Sequence, residues 1–392
     1  MQQYVRGLSE VGARVYGVGD TPKSSLPRDL ARYLDAYLEV PKLLDEDAVL
    51  ESTSRWLRGR PIDRVLSNWE PLIMLAARMR ERWDVPGMRP HVAAGFRDKE
   101  LMKQRVAAAG LRVPKSSRCA TVSEMKAAAE FIGFPLIVKP IAGAGSADTY
   151  RVDSAAEFDR VVEVVRHVQQ VSVEEFIDGR EFTFDTVCVE GTPVFENVAE
   201  YLPRPLIARS VESISPVIIT VRDMVQPHLA AGIELGRKVL DALEMHNGFT
   251  HMEWFLTERG EAVFGEIGAR PGGAHLVDQM NYTCDIDLFR EWARAVCWHA
   301  FEAPTVRRYN VGIIFKRARG QGRIQSIQGL SAFLAEAGPS VVAQELLPPG
   351  TPRRNWKNTL LSDGFIIVRH PDWDETRRLA NLAAQNVIVN AG

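Results

Sequence analysis

Residues 251–267 constrain the fold more than any other stretch of this chain. They read His251-Met252-Glu253-Trp254-Phe255-Leu256-Thr257-Glu258-Arg259-Gly260-Glu261-Ala262-Val263-Phe264-Gly265-Glu266-Ile267. Two apolar runs flank a polar turn with a glycine, the signature of an antiparallel hairpin. With Arg259-Gly260 as a two-residue loop, Glu253 falls directly opposite Glu266. Opposed Cβ atoms then lie about 4.5–5.5 Å apart. Two carboxylates at that spacing repel unless a cation sits between them. Hard oxygen ligands so placed suit Mg²⁺ carrying nucleotide phosphates. The plainer reading is two glutamates on a solvated face, and the apolar runs around them weigh against it. A loop shifted by one residue would put them on opposite faces.

The rest of the chain reads as an α/β protein of two or three domains. At 392 residues, 46% hydrophobic and 25% charged, it has an ordinary globular composition. A formal net charge of -2 gives no general attraction for nucleic acid or anionic membrane, so an anionic ligand needs a local site. No run approaches the roughly 18 apolar residues of a membrane helix. The four scattered cysteines form no C-x-x-C pair, and no secretory pattern follows Met1. Both fit reduced thiols in a cytoplasmic protein.

Residues 1–92 alternate helix and strand in a doubly wound pattern, with strands expected at Arg14–Val18 and Ile62–Leu66. The chain opens on a helix where such a domain usually opens on a strand, so an apolar strand upstream of Met1 is expected. From Asp98, an N-cap, a helix runs to Gly110. Thr121-Val122-Ser123-Glu124 is a capping box for a helix that Gly133 closes. Strands follow near 136–139, 148–152, 171–176 and 181–189, then a helix over about 228–243 and the glutamate hairpin. The boundaries expected are 1–92, 93–300 and 301–392, with a lid over about 115–175.

Several residues could carry chemistry. Lys139 ends the apolar run Leu136-Ile137-Val138-Lys139-Pro140, where a lysine is uncommon unless its charge is paired. The small-residue loop after it holds Gly143, Gly145 and Ser146, whose backbone N–H groups could approach phosphate oxygens. The lysine precedes that loop, so this is not a P-loop, and no third glycine completes a dinucleotide fingerprint. Lys99 stands in the first turn of a helix, against the helix dipole, and a bound polyphosphate would reverse that sign. Glu174-Glu175-Phe176-Ile177 ends a strand ahead of Glu181, and could offer polar groups to a purine edge and ribose hydroxyls. Arg270 opens Arg270-Pro271-Gly272-Gly273 and offers a bidentate fork for phosphate or carboxylate. Arg204, Arg209 and Ser210 are guesses for contacts to a substrate carboxylate. His251 and His275 stay outside the catalytic set. For each feature alone, a plain turn or a solvated surface is the blander alternative.

In combination these elements resemble the ATP-grasp superfamily over roughly residues 95–300. Asp98-Lys99 through Gly110-Leu111-Arg112-Val113-Pro114 is similar to the family's entry helix. Gly133-Phe134-Pro135-Leu136-Ile137-Val138-Lys139-Pro140 is similar to its lysine strand. The resemblance implies phosphate contacts from Lys99 and Lys139, and a phosphate loop containing Gly143, Gly145 and Ser146. It implies an adenine hinge in which Glu174 meets the exocyclic amine, with Glu175, Phe176 and Ile177 along the ring and Glu181 on the ribose. It implies Mg²⁺ (Mn²⁺ as a substitute) on Glu253 and Glu266, and Arg270 beside the reacting phosphate. One departure stands out. The family's Glu-x-Asn reads Glu266-Ile267-Gly268 here, so a third metal ligand is missing from its usual place.

The resemblance favours the carboxylate–amine ligase branch. It implies an enzyme that uses ATP to join a carboxylate to an amine, both small molecules of amino-acid type, and it is compatible with a homodimer. Two rivals stay open: a biotin-carboxylase-like enzyme that activates bicarbonate, and a nucleotide-binding protein with little catalysis.

Overall fold

The computed structural model describes residues 1–141, 149–359 and 361–392. Gly143, Gly145 and Ser146 lie outside the described residues.

In the N-terminal segment, β1 (Tyr16–Gly19) and β2 (Ala36–Glu39) pair in parallel between helices. The strand expected at Ile62–Leu66 is absent, and β2 takes its place beside β1. That stretch binds by side-chain bonds instead of a ladder. Arg80 Nε donates to the Val65 carbonyl at 2.8 Å, and Arg64 Nε donates to the Val296 carbonyl at 2.9 Å. Val65 still packs against Val40 and Val49, so the apolar residues that suggested a strand do reach a core.

Next come β3 (Ser116–Cys119), β4 (Leu136–Pro140), β5 (Tyr150–Val152) and β6 (Val171–Glu175), a sheet in the order β3-β6-β4-β5. Helices Val122–Ile132 and Ala155–Val165 cover it around Leu136, Val138 and Val173. The Thr121–Glu124 capping box and the Asp98 cap both form, because each side chain satisfies N–H groups that the first helical turn leaves free.

The remaining strands are β7 (Arg180–Val189), β8 (Thr192–Leu202), β9 (Val217–Thr220), β10 (Gly248–Leu256), β11 (Ala262–Gly268), β12 (Asn310–Phe315), β13 (Ile324–Gln328), β14 (Val341–Leu346), β15 (Gly364–His370) and β16 (Ile388–Ala391). Eight of them form one sheet, β11-β10-β7-β8-β9-β12-β15-β14, while β13 pairs with β16. The C-terminal segment thus continues the sheet that carries the glutamate hairpin. Helix Pro227–Ala242 lies on one face, over Phe182, Phe184, Trp254 and Phe264. It comes so close that a Cβ on Gly232 would fall 2.1 Å from the Trp254 ring. Helices Gln2–Glu10 and Leu288–Trp298 flank Phe249 on the opposite face.

Period-two alternation now decides which side chains form a site. In β7 and β10, Phe182, Phe184, Met252 and Trp254 turn to the helix and are buried. Their neighbours Glu181, Asp185, His251 and Glu253 turn to the other face.

Candidate active site

Glu253 pairs with Glu266 across β10 and β11. The loop between them differs from the expected one. It has three residues, Glu258-Arg259-Gly260, closed by Gly260 N–H donating to the Thr257 carbonyl at 2.9 Å, with Gly260 at φ +76°. Alone, that shift would send the glutamates to opposite faces. A bulge undoes it: Trp254 pairs with Phe264, Glu253 with Glu266, and Gly265 is the extra residue. A Cβ on Gly265 would sit 2.8 Å from the Glu253 carbonyl oxygen, so the bulge needs glycine.

The cation that relieves the two carboxylates belongs to the protein. Lys99 Nζ lies 2.5 Å from Glu266 Oε2. Burial would raise the Glu266 carboxyl, but Lys99 and Lys139 outweigh it and hold it down at about 2. Burial, and then the neighbouring Glu266, push Glu253 upward. The pair therefore splits, with the charge on Glu266 and the greater proton affinity on Glu253. Tyr201 donates its hydroxyl to Glu253 Oε1 at 3.0 Å, and His251 Nε2 lies 3.8 Å from the same oxygen. Behind it, His251 Nδ1 lies 2.5 Å from Asp185 Oδ1. Burial and then Glu253 raise the Glu181 carboxyl to about 8, although Arg204 opposes them.

Lys139 belongs to a second buried network. Its Nζ lies 2.9 Å from Glu174 Oε2, and Lys103 pairs with Glu174 Oε1. Lys103 also reaches Glu100 Oε1 at 3.2 Å, and Ser116 and Ser172 donate to Glu100. Burial would lower the Lys139 ammonium, but Glu174, then Glu266 and Glu253, hold it above its ordinary value. Burial would likewise raise Glu174, but the two lysines hold it well below the carboxylate range.

At the hinge, Glu175 accepts from Arg112 Nη2 at 2.7 Å and from the Lys115 N–H at 3.0 Å. Its own N–H donates to the Lys115 carbonyl. Arg204 donates twice to the Ile177 carbonyl, at 3.1 Å each, lies 3.4 Å from Glu181, and stacks on Phe176 and Phe255. The guesses for a substrate carboxylate are thus engaged elsewhere. Arg204 clamps the hinge, Arg209 donates to the Lys357 carbonyl, and Ser210 donates to the Ile207 carbonyl.

Arg270 Nε donates to Glu70 Oε2 at 2.7 Å, and Arg97 Nη1 donates to Glu70 Oε1 at 2.6 Å. Gly268 has an account too. A Cβ there would meet Arg270 Cγ at 3.2 Å, so the space of the missing asparagine holds the arginine's own stem.

The structure thus brings Lys99, Lys139, Glu174, Glu181, Glu253 and Glu266 into one electrostatic group. Glu70, Glu100, Lys103, Asp185 and Tyr201 complete its surroundings and were not foreseen. Lys103 left one signal, four residues from Lys99 and so on the same helical face. Glu70 left none, being 200 residues from Arg270. Among the described residues, no cluster of three or more His, Cys, Asp or Glu side chains forms a ready metal cage, and no helix is long and apolar enough to cross a membrane.

Residues 132–278 match the family model described as an ATP-grasp domain. The L-arginine-specific L-amino acid ligase of Bacillus subtilis is 26% identical over 240 residues, 59% of this chain and 57% of that protein. Alanine–anticapsin ligase of Bacillus subtilis is 25% identical over 277 residues, 64% of this chain and 58% of that one. The matched region is therefore less than two thirds of these curated relatives' length. Among solved structures, the L-amino acid ligase from Bacillus licheniformis superposes with a TM-score of 0.80 at 20% identity, covering 99% of this chain and 96% of that one. That likeness shows the fold. The matched stretch, which carries both the lysine strand and the glutamate hairpin, is similar to an ATP-grasp domain.

Proposed function

We propose that the protein is an ADP-forming ligase that joins a carboxylate to an amine. The observation that carries this reading is the opposed Glu253–Glu266 pair facing Lys99 and Lys139. Two carboxylates and two ammonium groups match a metal-bound triphosphate; Lys99 is paired with Glu266, Lys139 with Glu174, and Glu253 accepts from Tyr201. The amino-acid ligases among the relatives supply the reaction class.

Glu253 and Glu266 would hold Mg²⁺, which keeps several waters and takes phosphate oxygens besides one or two carboxylates. When bound, the ion neutralises charge on the transferring phosphoryl group. Lys99 and Lys139 would exchange their carboxylate partners for phosphate oxygens. The hinge at Glu174–Ile177 and Glu181 would take the adenosine. Arg270, held by Glu70, would stand beside the reacting phosphate, where the substrate carboxylate attacks. An oxygen of that carboxylate attacks the γ-phosphorus and ADP leaves. The amine nitrogen then attacks the acyl carbon, phosphate leaves with the C–O bonding pair, and the nitrogen loses a proton. The protein's part is positioning and charge compensation.

The test is ADP release over paired amino-acid carboxylates and amines, with products weighed by mass spectrometry. Stimulation by a pair, together with a condensed product, supports the reading. Turnover on bicarbonate alone would point to the carboxylase-type rival, and ATP binding without turnover on any pair to a nucleotide binder.

A further inference from the structure

The hinge lies where two sheets meet. Strand β6 ends at Glu175 in the four-stranded sheet, and β7 begins the eight-stranded side with Arg180 and Glu181. One side chain reaches both. Arg204 follows β8 and donates through Nη1 and Nη2 to the Ile177 carbonyl, at 3.1 Å each. Its Nε lies 3.4 Å from Glu181 Oε2. Among the described residues, no other cation comes within ion-pair range of Glu181. The guanidinium lies over the rings of Phe176 and Phe255, 4.9 and 5.2 Å from their centroids, which leaves it little room to turn.

Its backbone is anchored as well. Arg317 Nη1 donates to the Ala208 and Val211 carbonyls at 2.7 and 2.9 Å, and Arg209 Nη2 donates to the Lys357 carbonyl at 2.9 Å. The hinge that Arg204 holds is not saturated. Ile177 is buried, and among the described residues its N–H meets no acceptor. A buried donor left so is costly, and a ring nitrogen would satisfy it. Glu181 offers the opposite sense, an acceptor with lone pairs beyond those that face Arg204. The spacing between this donor and this acceptor is set by Arg204, which grips one residue of each kind.

We propose that Arg204 is a positioning residue for the nucleotide. It fixes the Ile177 hinge against Glu181, aims the carboxylate at the ribose hydroxyls, and so sets the preference for a nucleotide that carries them. The proposal rests on the nucleotide-binding part of the function proposed above, and not on amide formation. Without Arg204, Glu181 would have only the repulsion of Glu253 to orient it, and no cation.

Calorimetric titration of the full chain with Mg²⁺·ATP and with Mg²⁺·2′,3′-dideoxy-ATP tests this. The two share base and triphosphate, so the ratio of their affinities isolates the ribose hydroxyls. The native chain should prefer ATP by about tenfold or more, as hydroxyl bonds to a charged acceptor allow. In Arg204→Met that preference should fall to about threefold or less. A role in the fold alone would weaken both nucleotides alike and leave the ratio unchanged, and that result overturns the proposal. Arg204→Lys returns a charge beside Glu181 without the fork. It should recover part of the preference while ATP still binds severalfold more weakly than in the native chain. Should the methionine variant fail to fold, the lysine variant decides, and native affinity and ratio in it would overturn the proposal. Equal affinity of the native chain for the two nucleotides overturns it too, since Glu181 then holds no ribose. Binding of neither nucleotide would sink the nucleotide reading itself, whereas a native preference that survives in Arg204→Met removes only Arg204.

Discussion

Glu174 lies between two lysines, with 5% of its side chain exposed. Its charge is what makes both ammonium groups tolerable at that depth, since a buried ion without a partner is strongly penalised. Glu174→Gln should therefore destabilise the protein by roughly 3 kcal/mol at neutral pH. The sign with pH follows from its depressed pKa. The stabilisation is fully present above the ordinary carboxylate value of 4.5 and drains away as pH falls through the lower folded value. Urea unfolding at a series of pH values should show the wild type losing stability below about pH 5 and the variant losing less. Parallel curves would remove Glu174 from that role. The same logic applies to Glu266. Its removal does not relieve repulsion, because Lys99 already occupies the gap and would lose its partner.

At the scale of elements, the glutamate hairpin joins two features that cancel. The three-residue loop shifts the register by one and the Gly265 bulge shifts it back. Gly265→Ala must displace the Glu253 carbonyl, which lies 2.8 Å from the added carbon. The expected cost is about 1–3 kcal/mol, with a large loss of ATP turnover because Glu266 swings out of line with Glu253. Gly260→Ala is the control. It strains the φ +76° position by about 1 kcal/mol but lies at the loop tip, open to solvent. Turnover should fall for the first variant and hold for the second. Equal turnover in both would mean that the bulge does not position the carboxylates.

Over the whole molecule, one ion pair ties the N-terminal segment to the proposed catalytic centre. Glu70 holds Arg270 with one oxygen and Arg97 with the other. Glu70→Gln keeps the shape but removes the charge that fixes the guanidinium. The expected outcome is a fall of roughly tenfold or more in kcat/KM for the carboxylate substrate, because a misplaced positioning group is costly in rate. Affinity for ATP should stay near wild type, since among the described residues Lys99, Lys139, Glu174 and Glu181 are paired elsewhere and not with Glu70. A matching loss of ATP affinity would show general damage instead.

The sequence by itself determined the elements that rest on local rules. The Asp98 cap, the Thr121 capping box, the β7–β8 turn at Glu190-Gly191 and the hairpin's alternation are each decided within a few residues. It also marked Lys99, Lys139, Glu174, Glu253 and Glu266, because charged residues on apolar elements stand out and because their order matched a known family. Only the tertiary structure decided how those charges are paired. Lys99 meets Glu266 and Lys139 meets Glu174 across different elements. Glu70 reaches Arg270 over a separation no local pattern encodes, and β2 rather than residues 62–66 lies beside β1. Local rules act through hydrogen bonds and alternation along one segment. The pairing of buried charges is settled by which segments pack together, because each charge must find its partner wherever the fold brings one within reach.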